Sequence, residues 1–139
     1  MREDSRVGYG IRERVVMFDA GFEAILSVVL VLGVVFGQLD EEQYAAPASD
    51  VVLAVFGIGL FFFAIALASL VSRDAVSDGV LRGLAAGNIA FALLLLVWVL
   101  VADGFRPAGS AVVWTTIVAL VLLALMQVQA AGLPRQRHG

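Results

Sequence analysis

Among the polar residues within the apolar segments of this chain, five have a chemistry that needs an explanation. They are two carboxylates, two carboxamides and a hydroxyl: Asp19, Glu23, Asn88, Gln127 and Ser69. Hydrocarbon offers an ionisable side chain no partner, so such a residue inside a membrane span is by default a functional-site hypothesis. We therefore treat all five as candidates for binding a ligand or a proton, with Glu23 and Asp19 as candidates for acid catalysis.

Asp19 and Glu23 lie four residues apart, which places them on one face of a helix. A purely structural interpretation pairs Asp19 with an arginine near the membrane surface, namely Arg12, Arg14 or Arg82. Glu23 lies about 13 Å farther along the helix than Arg14, at a rise of ~1.5 Å per residue. We therefore expect Glu23 to be neutral and Asp19 to be ionised.

The two carboxamides have a simple structural explanation. Side chains such as Asn88 and Gln127 form hydrogen bonds between membrane helices, each contributing about 0.6 to 2 kcal/mol. Two interpretations of Glu23 stay open: a hydrogen bond with one of these amides, or a site for a proton or a ligand.

The composition identifies the class of protein that carries these residues. Of 139 residues, 61% are hydrophobic, and the mean hydropathy is +0.98, far above that of a soluble domain. The chain has no cysteine and no lysine, and its only histidine is His138 near the C-terminus. These absences argue against thiolate, Schiff-base and haem chemistry, and we expect no cofactor or metal. The net charge of −3 argues against nucleic acid as a partner.

The apolar runs predict an all-α protein with four transmembrane helices in a bundle. The predicted spans are 15–37, 51–72, 83–102 and 110–131, with an arm at 1–14 and a tail at 132–139. Asp50 is placed to cap the second helix. Gly83 and Gly87 form a small-xxx-small pair, which predicts close packing of the third helix on a neighbour.

Helical periodicity predicts which faces turn inward. Asp19, Glu23 and Ser27 share a stripe of the first helix, and Val28 lies on the opposite, branched aliphatic face. On the fourth helix Gln127 shares a face with small and apolar residues, whereas Gln129 points nearly the other way. We expect the acids to point into the bundle, because lipid offers them no hydrogen bond.

The arginines predict the orientation in the membrane. With four spans crossed, eight of the nine lie on the side of the N-terminus and only Arg106 lies on the other. The positive-inside rule then places both termini in the cytoplasm of a protein of the cell membrane. In this orientation the polar residues Asp19, Asn88 and Gln127 lie at a similar depth, five or six residues from the cytoplasmic ends of their helices, and Ser69 lies near the same level.

The third span opens LAAGN and continues LLLLVWVL, and the fourth ends LALMQVQAAGL. Over residues 83–137 this pattern resembles small uncharacterised prokaryotic four-helix membrane proteins, which implies four spans and no particular activity. The position of Glu23 is also similar to that of the essential glutamate in small multidrug transporters. Those proteins have a weak charge bias and carry later motifs that are missing here.

Three functions follow as hypotheses. The first is a non-catalytic membrane protein whose polar cluster packs the bundle or binds a lipid, a second copy or a partner subunit. The second is a proton-coupled small carrier that uses Glu23, with Asp19 as the entry relay. The third is an intramembrane enzyme acting on an apolar lipid or isoprenoid, with one of the acids as general acid.

Overall fold

A computed structural model describes residues 10–36 and 48–133, and in them it places four long α-helices. They are α1 (Ile11–Val35), α2 (Asp50–Ser72), α3 (Asp78–Val101) and α4 (Pro107–Ala131). Each helix is long and apolar enough to cross a membrane. The predicted all-α, four-helix architecture is confirmed, and the chain is a small multi-pass membrane protein. Residues 1–9 of the predicted arm and 134–139 of the predicted tail lie outside the described residues.

All four helices begin earlier than the apolar runs that predicted them, α2 by only one residue. α1 begins at Ile11 instead of residue 15, α3 at Asp78 instead of 83, and α4 at Pro107 instead of 110. The prediction equated each helix with its apolar run, but a helical backbone continues past the hydrocarbon until a capping residue ends it. For α3 that residue is Ser77, whose Oγ accepts a hydrogen bond from the backbone N of Val80 at 3.2 Å.

The cap of α2 also differs from the prediction. Ser49 holds the N-cap position, and its Oγ accepts from the backbone N of Val52 at 3.4 Å. Asp50 is the first helical residue, where its negative charge faces the positive end of the helix dipole. The prediction of Asp50 as the cap was therefore wrong by one residue.

The helices pack as two hairpins. α1 lies along α2 in the first hairpin and α3 lies along α4 in the second, while α1 also contacts α4. The first hairpin is tightest at Gly57, where an added Cβ would lie only 2.9 Å from Cγ2 of Val31. The Ser27 Oγ donates to the Gly57 carbonyl at 2.6 Å. Glycine at this position therefore lets the two helices approach closely.

Gly83 and Gly87 do not make the close contact that the sequence predicts. A Cβ added at either position would meet no atom within 4 Å in the part of the chain that the structure describes. Both lie on the exposed face of α3. A small-residue pair marks close packing only where it faces a neighbour, and its spacing does not say which way it faces.

The apolar core falls into two clusters. One lies at the end of the bundle that holds the start of α1, here called the Arg12 end, and draws on all four helices and the α2–α3 loop: Val15, Val16, Ala20, Leu67, Val71, Val76, Leu81, Ala130 and Ala131. The other lies toward the opposite end of the bundle, where it is formed by residues of α3 and α4, and Phe22 of α1 packs against it. Asn88 and Gln127 fall between the two clusters along their helices, so a polar layer separates two apolar ones.

Candidate functional site

Three side chains from three helices meet in the polar layer. Oδ2 of Asp19 on α1 accepts a hydrogen bond from Nε2 of Gln127 on α4 at 2.6 Å. It also accepts a longer one from Nδ2 of Asn88 on α3 at 3.4 Å. Nδ2 of Asn88 donates in turn to Oε1 of Gln127 at 3.1 Å. We call these three residues the polar triad.

The polar triad is shielded from the surroundings of the bundle. Asp19 and Gln127 are 0% exposed and Asn88 is 6% exposed. Burying a polar group without a hydrogen bond costs roughly 1–3 kcal/mol in proteins, so the triad's mutual bonds offset a large part of that cost. The three helices are thereby fixed in one register with respect to each other.

Glu23 lies one turn beyond Asp19 on the same buried stripe of α1. It is only 3% exposed, and its Oε2 has no hydrogen-bonding partner among the described residues. Oδ1 of Asp19 is likewise buried without a partner. The sequence left open a bond from Asn88 or Gln127 to Glu23, but both amides donate to Asp19, and Asn88 also donates to Gln127, because they lie level with Asp19.

Arg12 does not pair with Asp19, contrary to one expectation from the sequence. Its guanidinium forms an ion pair with Asp78 at the start of α3. It also donates to the backbone carbonyls of Ala131 and Leu133 at the end of α4. Arg12 is 8% exposed, so a charged group of α1 is buried against both helices of the second hairpin.

Sequence reasoning missed this role of Arg12, although two signals pointed to it. Arg12 lies on the same stripe of α1 as Asp19, seven residues earlier. The last carbonyls of α4 have no partner within their own helix, and a cation is favoured at that end. The sequence did not indicate which of several arginines would reach them.

The fifth candidate, Ser69, is not part of the triad. Its hydroxyl donates to the carbonyl of Ile65 on the same helix at 2.8 Å. Thr115 and Thr116 likewise donate to carbonyls four residues earlier on α4. Gln129 is exposed, as its position opposite Gln127 predicts. A hydroxyl can satisfy itself on its own helix, which a carboxamide or carboxylate does less readily.

A groove runs along the first hairpin on its outer surface. Its volume is about 400 Å³, and its walls are the side chains of Ser27, Val28, Val31, Leu32, Ile58 and Phe61. The Ser27 hydroxyl already donates to the Gly57 carbonyl, so the groove offers an almost entirely apolar surface. Glu23 is not among the lining residues.

The contacts of Arg12 and Asp19 therefore join the first hairpin to the second, one at the Arg12 end and one in the polar layer. The triad consists of one carboxylate and two carboxamides, and it contains no hydroxyl or imidazole placed beside a base. It does offer a buried carboxylate with amide donors on one oxygen, and a second buried acid, Glu23, lies one turn away.

No protein-family model, curated protein or solved structure matches this chain.

Proposed function

We propose that this chain is a non-catalytic integral membrane protein in which the polar triad fastens the first hairpin to the second. The observation that carries the proposal is that one oxygen, Oδ2 of Asp19, accepts a hydrogen bond from each helix of the second hairpin. Two amides on different helices converge on a single acceptor. Such convergence is the arrangement expected of a joint between helices.

The physics of the bilayer supports this assignment. Lipid tails are as apolar as leucine, so the hydrophobic effect does not drive helices together inside the hydrocarbon. Close packing and interhelical hydrogen bonds supply the association instead, at roughly 0.6 to 2 kcal/mol per bond. Within the first hairpin Gly57 provides close packing. Between the hairpins, the polar contacts of Asp19 and Arg12 add to the apolar packing at the Arg12 end.

Gln127→Ala tests whether the polar triad joins the two hairpins, and a second glutamine serves as the control. The substitution removes the donor to Asp19 and the acceptor for Asn88. We expect it to lower the free energy of unfolding by about 1–3 kcal/mol. Gln129→Ala, at an exposed position two residues away, should change it by less than about 0.5 kcal/mol. Unfolding by SDS in mixed micelles, followed by circular dichroism, measures both.

Equal effects of the two glutamine substitutions would contradict a joint at Gln127. The two hairpins would then be held together by the contacts of Arg12 and by apolar packing.

Membrane lipid is the partner that we propose for the outer surface. The groove on the first hairpin is apolar, and it lies on a helix pair long enough to span the membrane, where hydrocarbon chains surround it. It presents no group that would act on such a chain. A second copy of this chain or another membrane subunit is the alternative partner.

We also propose that both termini lie in the cytoplasm of a cell-membrane protein, as the arginine bias indicates. The absence of cysteine allows a direct test with single cysteines at Ala75 and Ala108, which are exposed in the α2–α3 loop and at the start of α4. In intact cells a membrane-impermeant maleimide should label the cysteine at 108 and leave the one at 75 unlabelled until the cells are opened. Labelling of both from outside would contradict a single orientation.

A proton-coupled carrier or a lipid enzyme is the second candidate, and one observation favours it. The joint does not use Glu23, and its buried Oε2 has no partner among the described residues. A carrier or an enzyme needs such an acid. A substitution of Glu23 that abolishes a measured transport or turnover, while the protein stays folded, would favour it over the joint.

A further inference from the structure

We propose that Glu23 binds one exchangeable proton, and that this proton completes the polar layer by turning one of two unpartnered acceptors into a donor. This proposal rests on the proposed joint, because it concerns the same layer of the bundle. Two buried carboxyl oxygens, Oδ1 of Asp19 and Oε2 of Glu23, have no hydrogen-bonding partner within residues 10–36 and 48–133. They belong to neighbouring turns of one helix face.

Two adjacent carboxylates cannot both remain charged in this setting. Asp19 is 0% exposed and Glu23 is 3% exposed, so water does not solvate a second negative charge. Like charges at this spacing repel each other, and the repulsion grows in a medium of low dielectric. Either a cation or a proton has to compensate one of them.

Among the residues that the structure describes, those packed around the pair supply no cation. From α3 the facing polar group is Asn88, and from α4 it is Gln127, and neither is charged. The buried residues of α2, which pack against α1, are Gly57, Leu60, Ala64, Leu67 and Val71. On α1 itself, the guanidinium of Arg12 is paired with Asp78 and with carbonyls at the end of α4.

The hydrogen bonds decide which acid holds the proton. Oδ2 of Asp19 accepts two amide N–H groups, and such bonds stabilise the charged form of a carboxylate. Glu23 receives no such bond at Oε2. The negative charge therefore stays on Asp19, and hydronium transfers its proton to Oε2 of Glu23, leaving water and a neutral carboxyl group.

A proton on Glu23 also provides a hydrogen-bond donor for the second unpartnered oxygen, Oδ1 of Asp19. The new O–H group is a donor, and Oδ1 of Asp19 is an unpartnered acceptor one turn away on the same face. Side chains four residues apart on a helix are neighbours, within reach of each other through ordinary rotamers. One proton thus accounts for both of the unpartnered carboxyl oxygens.

Infrared spectroscopy of the full-length protein in lipid bilayers tests the proposal directly. The probe is the proton itself: the parent protein at neutral pH should show the C=O stretching band of one protonated carboxyl group. Glu23→Gln should remove the band, whereas Asp19→Asn should keep it, since Glu23 then still lacks a cation. Asp50→Asn, at an exposed acid, is the control and should leave the band unchanged.

A second measurement needs no substitution and so does not depend on how a variant folds. Carboxyl-¹³C glutamate, incorporated into the parent chain, should shift the band to lower frequency, whereas labelled aspartate should not. A spectrum without a protonated carboxyl band at neutral pH would overturn the proposal, as would a band that moves only with labelled aspartate. The joint is tested separately by unfolding of Gln127→Ala, so either idea can fail without the other.

Discussion

Replacing Asp19 by alanine is expected to destabilise the bundle more than any other single substitution in the polar layer. Two buried amides, those of Asn88 and Gln127, lose their common acceptor at roughly 1–2 kcal/mol each. We therefore expect Asp19→Ala to lower the free energy of unfolding by about 2–4 kcal/mol. SDS titration in mixed micelles, with circular dichroism as the signal, gives this difference.

Two further variants separate the hydrogen bonds from the loss of volume. Asp19→Asn keeps the size of the side chain and one carbonyl oxygen, so it should recover part of the stability that alanine loses. Asp50→Ala removes an exposed acid from the first turn of α2 and should change stability by less than about 1 kcal/mol. If Asp19→Ala lowers the free energy of unfolding by no more than Asp50→Ala does, Asp19 does not join the hairpins.

Depth along the helices was predictable from the sequence because helical rise is constant. Asp19, Asn88 and Gln127 lie at similar distances from the charged ends of their helices, and the structure brings them into contact. Rotation was predictable only where a polar residue marks a face. Gln127 is buried and Gln129 is exposed, as their spacing on α4 requires.

The apolar positions were less informative, for a physical reason. In a soluble protein, apolar residues mark the buried side of a helix, but in a membrane both lipid and core accept them. This is why the small pair Gly83 and Gly87 could not be assigned a direction, and it lies on the exposed face of α3. Gly57, which does make the close approach, had no distinguishing pattern around it.

The partners of long or hydroxyl-bearing side chains were also beyond the sequence. Arg12 could reach several carboxylates, and its choice of Asp78 and the end of α4 depends on how the hairpins dock. Ser69 was a candidate for binding a ligand or a proton near the level of the polar triad, and it bonds to the carbonyl of Ile65 on its own helix. In both cases the sequence indicates how far the side chain can reach, but not which of the partners within that distance it binds.

Glu23→Leu is expected to act in the direction opposite to Asp19→Ala and to stabilise the bundle. Glu23 is 3% exposed, and keeping a buried carboxyl group protonated at neutral pH costs the fold free energy relative to the unfolded chain, where the group ionises in water. We expect this cost to exceed the one hydrogen bond to Asp19 that leucine would remove. Leucine is similar in volume and needs no partner. We expect a gain of about 1–3 kcal/mol in the free energy of unfolding, measured by the same SDS titration.

The matched control is Asp103→Leu, at an exposed acid of the α3–α4 loop, where the same chemical change should alter stability by less than about 0.5 kcal/mol. A loss of stability in Glu23→Leu would show that the hydrogen bonds of the native carboxyl group outweigh the cost of burying it, and it would favour packing as the role of Glu23. A gain would mean that the sequence retains Glu23 although this residue lowers the free energy of unfolding. Residues that lower stability in this way are expected at functional sites, so a gain would favour proton binding over packing as the role of Glu23.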